Sequence, residues 1–251
     1  MNLAETLWNR VIAGFSQAAV PVVPVSELLL VIAAAIALSI PAVTWKYFGL
    51  VSTVVHELGH AFAALTSGQR LGGIRLKLDH SGTTTSFSRG RFPAIWSGFW
   101  GYPVPALVGA ALVWAGFNGW GPASMSLGVV ILVASLLFIR NAMGLLIMAV
   151  AVLLTCALIL YVPAEFNSHL VIVVGLALLV ASVRDLGKLC HVHLKRRERL
   201  GSSDAYLLYR ATAVPSAVWI TLFAVVVAIA WLIAWQPISG AFATAGFRLV
   251  P

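Results

Sequence analysis

The chain has 251 residues, 61% of them hydrophobic and only 10% charged, against about 25% charged in soluble domains. A water-soluble globular protein is therefore excluded. The net charge is +8, but the positive residues sit in stretches between apolar runs, as membrane orientation produces, so nucleic acid is not an expected partner.

Residues 1–25 form an N-terminal segment in which Leu3, Leu7, Val11 and Phe15 share one helical face. That pattern predicts a short amphipathic helix on the membrane surface. About seven apolar runs follow, at roughly 26–43, 47–66, 93–117, 124–140, 142–162, 167–187 and 214–235, each near the length a bilayer crossing needs. Pro103 and Pro105 are expected to kink or break the third. Only Arg140 and Asn141 separate the fourth from the fifth. Between the second and third runs, residues 71–90 alternate Ile74, Leu76 and Leu78 with Arg75, Lys77 and Asp79, then turn at His80-Ser81-Gly82. This predicts a small β-hairpin. The fold class is an all-α integral membrane protein of about seven transmembrane helices with a cytoplasmic-side β-hairpin. Residues 26–190 form its core, 191–213 a basic loop, and 214–251 the last helix and tail.

Alternating the sides from the N-terminus puts Arg10, the cluster Arg70 to Arg91, Arg140, Arg184, Lys188, Lys195 to Arg199 and Arg210 together, leaving Lys46 and Arg248 opposite. By the positive-inside rule this predicts a multi-pass cell-membrane protein, as in a bacterial inner membrane, with its N-terminus cytoplasmic and its C-terminus outside. The run at 195–199 reads as a topology signal near anionic lipid. Cys156 and Cys190 are too far apart in the chain to suggest a disulfide framework.

The second run contains VVHELGHAFAAL. His56 and His60, four residues apart, share one face of a helix and are spaced to bind one metal ion. Glu57 is the next residue along, placed to take a proton from a water that zinc acidifies to a pKa of about 7. Three ionisable residues inside one apolar run carry an insertion cost of roughly 2.5–3.5 kcal/mol per charge, so they point to a function. The alternative is a buried polar patch that packs helices.

HELGHAFAAL, followed by SGTTTSFSRG and GYPVPALVGA, resembles the site-2 protease group of intramembrane metalloproteases, and within it the compact bacterial M50B-like branch. The resemblance spans about residues 45–190. It implies a zinc ion held by two histidines and a distant carboxylate, a glutamate base, and membrane-protein substrates cut within or beside the lipid bilayer. The Asn-Pro…Leu-Asp-Gly segment that supplies the third ligand in better-known members is absent, as is a PDZ domain. Among the eight acidic residues, elimination by expected side and depth leaves Asp185, in SVRDLGKL, as the expected third ligand, with Asp79 next. Glu198 and Asp204 are set aside because they lie in the basic loop. Cys190, His191 and His193 could bind metal but read as interfacial residues. His80 is expected in a turn and His169 at a span start, while Asn141 either lines the site or caps a helix. The competing functional readings are a membrane scaffold or transporter that keeps a zinc site, and a metal-dependent hydrolase of lipid or another small molecule.

Overall fold

The computed structural model describes residues 2–244. Helix α1 (Leu3–Gly14) opens with a capping box between Asn2 and Glu5. It is followed by α2 (Val25–Ser39), α3 (Ala42–Thr66), the strands β1 (Arg70–Leu76) and β2 (Gly82–Phe87), and α4 (Arg91–Phe99). Then come α5 (Pro103–Phe117), α6 (Gly121–Ser135), α7 (Ala142–Tyr161), α8 (Asn167–Lys195), α9 (Asp204–Thr212) and α10 (Ser216–Thr244). Five helical segments are long and apolar enough to cross a membrane: α3, α6 with its 3-10 extension to Phe138, α7, α8 and α10. A sixth appears if α4 and α5, bent by 53° at their junction, count as one. The break falls at 100–102, just before Pro103, which starts α5 where its missing N–H costs nothing. Helix α2, with 15 residues, is about 22 Å long. The protein is a multi-pass membrane protein.

Side-chain contacts define two ends of the bundle. At the first end, Glu27 on α2 meets His169 on α8 at 2.9 Å, Gly121 of α6 abuts Ser168, and Arg10 of α1 donates to the carbonyls of Ile159 and Leu160 at the end of α7. At the second end, Arg184 on α8 donates to the carbonyls of Ser39 and Ile40, where α2 finishes. Helices α2 and α8 therefore run in the same direction. Helix α5 runs against α8: a Cβ on Gly109 would lie 2.7 Å from the Gly175 carbonyl oxygen, and one on Gly116 would lie 3.0 Å from that of Ser168. Helix α10 starts at the second end, where Phe223 stacks on Tyr102, and packs back along α5.

Helix α3 departs from the sequence reading. Its start lies at the second end, with Trp45 under the Arg184 guanidinium at 4.1 Å and the Lys188 ammonium at 4.6 Å. Its later turns lie at that end too, with Gly59 against Trp100 and Val104. Six helices (α2, α5, α6, α7, α8 and α10) thus run between the ends, whereas α3 belongs to one of them. By length and hydropathy it remains a candidate crossing. Its polar residues Ser52, Thr53, His56, Glu57 and His60 all find their partners at the second end. Against about seven expected crossings, five segments are long and apolar enough, or six with α4 and α5 joined. Among the described residues, Arg10 is then the one Lys or Arg at the first end.

The hairpin is present and packs along α3. Strands β1 and β2 pair antiparallel from Arg70↔Phe87 to Leu76↔Gly82, with an irregularity between Leu71 and Gly73. Gly73 sits at φ 146° beneath the Arg140 side chain, a position that suits only glycine. The Thr53 hydroxyl donates to the His80 carbonyl at the hairpin tip, and Ile74 and Leu76 are fully buried in a core with Val54, Ala61, Ile147 and Met148. The outer edge of β1 is covered. Ile74 bridges Ile139, the Arg140 N–H donates to the Ile74 carbonyl at 2.9 Å, and the Asn141 side chain grips both backbone groups of Leu76, at 2.7 and 3.1 Å. No segment pairs with the outer edge of β2 among the described residues.

Candidate metal centre

The HELGH turns of α3 place His56 and His60 on one face, and their Nε2 atoms stand 3.1 Å apart. The Nδ1–H of His60 donates to the Ser97 carbonyl on α4 at 2.7 Å. That bond fixes the tautomer and leaves the Nε2 lone pair free to face the centre. The third group is Asp204, the first residue of α9, whose Oδ2 lies 3.2 Å from each Nε2. In a tetrahedral zinc site with bonds of about 2.0–2.2 Å, neighbouring ligand atoms stand roughly 3.3–3.6 Å apart. The observed triangle is slightly tighter than three corners of such a site. Asp204 Oδ2 is buried without a well-formed hydrogen bond, as expected of a carboxylate oxygen aimed at an ion rather than at a donor. Burial alone would raise the Asp204 carboxyl, but the two imidazoles beside it hold it well below the usual carboxylate range. Two nitrogens and one oxygen in this geometry fit zinc. Among the described residues no other group of three histidine, cysteine or acidic side chains could hold a metal ion.

Backbone approach makes room for the cluster. Gly101, in the break between α4 and α5, packs so closely that a Cβ there would run into His60 Nε2 and lie 2.7 Å from His56 Nε2. Glu57 is buried beside the histidines. The Thr84 hydroxyl on β2 lies 2.7 Å from Glu57 Oε2 and 3.1 Å from its carbonyl oxygen. Gly82 admits the carboxylate, because a Cβ there would strike it. Glu57, His60, Asp204, Thr83, Thr84 and Ser86 line a cleft of about 430 Å³. Gln69 pins its far wall, donating to the Pro93 carbonyl and accepting from the Ser86 hydroxyl.

Of the residues expected from sequence, His56, Glu57 and His60 come together and Asp185 does not join them. Its Oδ2 accepts from Ser52 Oγ at 3.0 Å and its Oδ1 from Lys188 Nζ at 2.8 Å. Its carboxylate is thus spent one helical turn before His56. Asp79 accepts from Ser81 at the hairpin tip. The residue missed was Asp204, set aside with the basic loop. One signal could have found it: after Ser203, the pattern Asp204-Ala205…Leu208 starts a short helix whose Ala205 and Leu208 are buried. His193 holds Ser203 through its Nε2, 2.8 Å from the serine Oγ, and so helps seat the residue before Asp204. Asn141 grips β1 and lies outside the metal cluster.

Gly101→Ala is expected to leave the protein folded but strip it of about one zinc per chain, because its methyl group enters the space between the imidazoles. Elemental analysis of the purified variant checks this, and full zinc occupancy would contradict the geometry.

A family model described as Peptidase M50B-like matches residues 29–234, a span that includes HELGH and Asp204. No curated protein and no solved structure matches the chain. With the helical fold and the matched span together, the chain belongs to the M50B-like peptidase family and is by that family a membrane metalloprotease.

Proposed function

We propose that the chain is a zinc-dependent intramembrane endopeptidase in which His56, His60 and Asp204 hold the ion and Glu57 is the general base. The observation that carries this reading is the meeting of three convergent ligand atoms with a buried glutamate on one wall of the cleft. Zinc in a three-ligand site supplies an acidified water and a Lewis acid. Glu57 is placed to take the proton from the attacking water and deliver it to the leaving amine. Thr84 holds one of its oxygens, so the carboxylate stays aimed at the cleft.

Substrate recognition in this reading uses the open edge of β2. Thr83, Thr84 and Ser86 line the cleft, and an extended peptide adding to that edge satisfies its backbone groups there. A membrane-embedded protein must unwind locally to do so, which suits a substrate helix weakened near the scissile bond. The basic residues collected at the second end favour a cytoplasmic location for that end. The metal centre then faces the cytoplasmic leaflet. Because Arg10 is separated from the other cations, this reading puts the N-terminus outside, opposite to the side expected from strict alternation.

Two experiments test these points. In co-expression with candidate single-span membrane proteins, Glu57→Gln keeps zinc and abolishes cleavage, whereas Asp204→Ala loses both. Asp185→Ala keeps zinc, since it removes only contacts to Ser52 and Lys188. Thr83→Pro and Ser86→Pro keep zinc but lower cleavage; unchanged cleavage would remove the strand-edge part of the reading, and cleavage by Glu57→Gln would remove the mechanism. For orientation, single cysteines at Ser16 and Arg210, in a background lacking Cys156 and Cys190, are probed in intact cells with a membrane-impermeant maleimide. Ser16→Cys should be labelled and Arg210→Cys should not; the reverse pattern would restore the cytoplasmic N-terminus.

A further inference from the structure

Helix α8 carries a second feature, C-terminal to Asp185. Beyond Asp185 its sequence turns from apolar to basic, and Gly187, Lys188, His191, Val192 and Arg196 line an open groove of about 490 Å³. Gly187 leaves its floor open, since nothing lies within 4 Å of where its Cβ would be. No acidic side chain lines it. Asp185, the nearest carboxylate, is engaged by Ser52 and by one face of Lys188, whose side chain remains 49% exposed. Among the described residues no carboxylate pairs with Arg196 or His191. Trp45 lies against Arg184 and Lys188. Val183, one turn before Gly187 and nearer the bundle, is exposed and offers apolar surface.

We propose that this groove binds the phosphate headgroup of an anionic phospholipid, with Lys188, His191 and Arg196 as donors and the acyl chains running past the exposed apolar residues of α8. The chemistry is that of basic pockets at the ends of membrane helices. Charge complementarity favours a headgroup of net negative charge over a zwitterionic one, because the groove offers donors and no acidic partner for a choline. The site shares no residue with the metal cluster, so it stands or falls independently of the protease reading.

Native mass spectrometry of the full-length protein in neutral detergent tests it. The lipids are dihexanoylphosphatidylglycerol and dihexanoylphosphatidylcholine, each below its micellar concentration. The phosphatidylglycerol adduct should saturate and the phosphatidylcholine adduct should not. Lys188→Gln and Arg196→Gln should each weaken the phosphatidylglycerol adduct roughly fivefold, the effect of one basic residue at a lipid surface. Lys195→Gln, which removes an exposed charge that does not line the groove, should leave it unchanged. Thermal unfolding reports whether each variant is folded. If Lys188→Gln fails to fold for want of its Asp185 pair, Arg196→Gln carries the test alone. Equal binding of the two lipids, an equal loss with Lys195→Gln, or full competition by glycerol 3-phosphate would overturn the assignment.

Discussion

Ionisable side chains inside an apolar chain must find partners, since each unpaired charge costs several kcal/mol in a low-dielectric setting. In this protein that constraint acts on α3. Its histidines and glutamate are satisfied by Ser97 of α4, Thr84 of β2 and Asp204 of α9, three elements that lie outside the run of six end-to-end helices. The architecture follows from it: a bundle of apolar helices carries, at one end, a layer made of α3, the hairpin, α4 and α9, and this layer brings His56, His60 and Asp204 together.

Close backbone approach lets these polar groups meet. Glycines stand where a methyl group would block the histidines (Gly101), the glutamate (Gly82) and the contact of α3 with the α4–α5 break (Gly59). The same device draws α5 and α8 together through Gly109 and Gly175, as in other membrane helix pairs that use small residues. Covering β1 with residues 139–141 and leaving β2 open makes the cleft one-sided. Among the described residues, the open edge of β2 is the one strand edge beside Glu57.

Much of this was legible from residue patterns. Apolar runs gave the helices, alternation at 74–79 gave the hairpin, and four-residue spacing put His56 and His60 on one face. Two features were not legible, for related reasons. Hydropathy measures length and apolarity, by which α3 qualifies as a crossing, but it does not show that the start of α3 and its histidines both contact the same end of the bundle. Depth reasoning from α3 favoured Asp185 over Asp204 because it treats a basic loop as solvent-facing. The chain after Lys195 instead folds back as a short helix with Ala205 and Leu208 buried, and so brings its first residue under both histidines. The side assigned to the N-terminus from the charge pattern depends on whether α3 counts as a crossing.

The central claim is that Asp204, and not Asp185, completes the zinc site. Substituting cysteine for each in turn and recording zinc X-ray absorption on the purified proteins tests it most directly, because a thiolate ligand brings sulfur to about 2.3 Å from zinc, whereas nitrogen and oxygen ligands lie at about 2.0–2.2 Å. The account predicts a sulfur shell in Asp204→Cys and an unchanged nitrogen and oxygen shell in Asp185→Cys. A sulfur shell in Asp185→Cys, with none in Asp204→Cys, would contradict it.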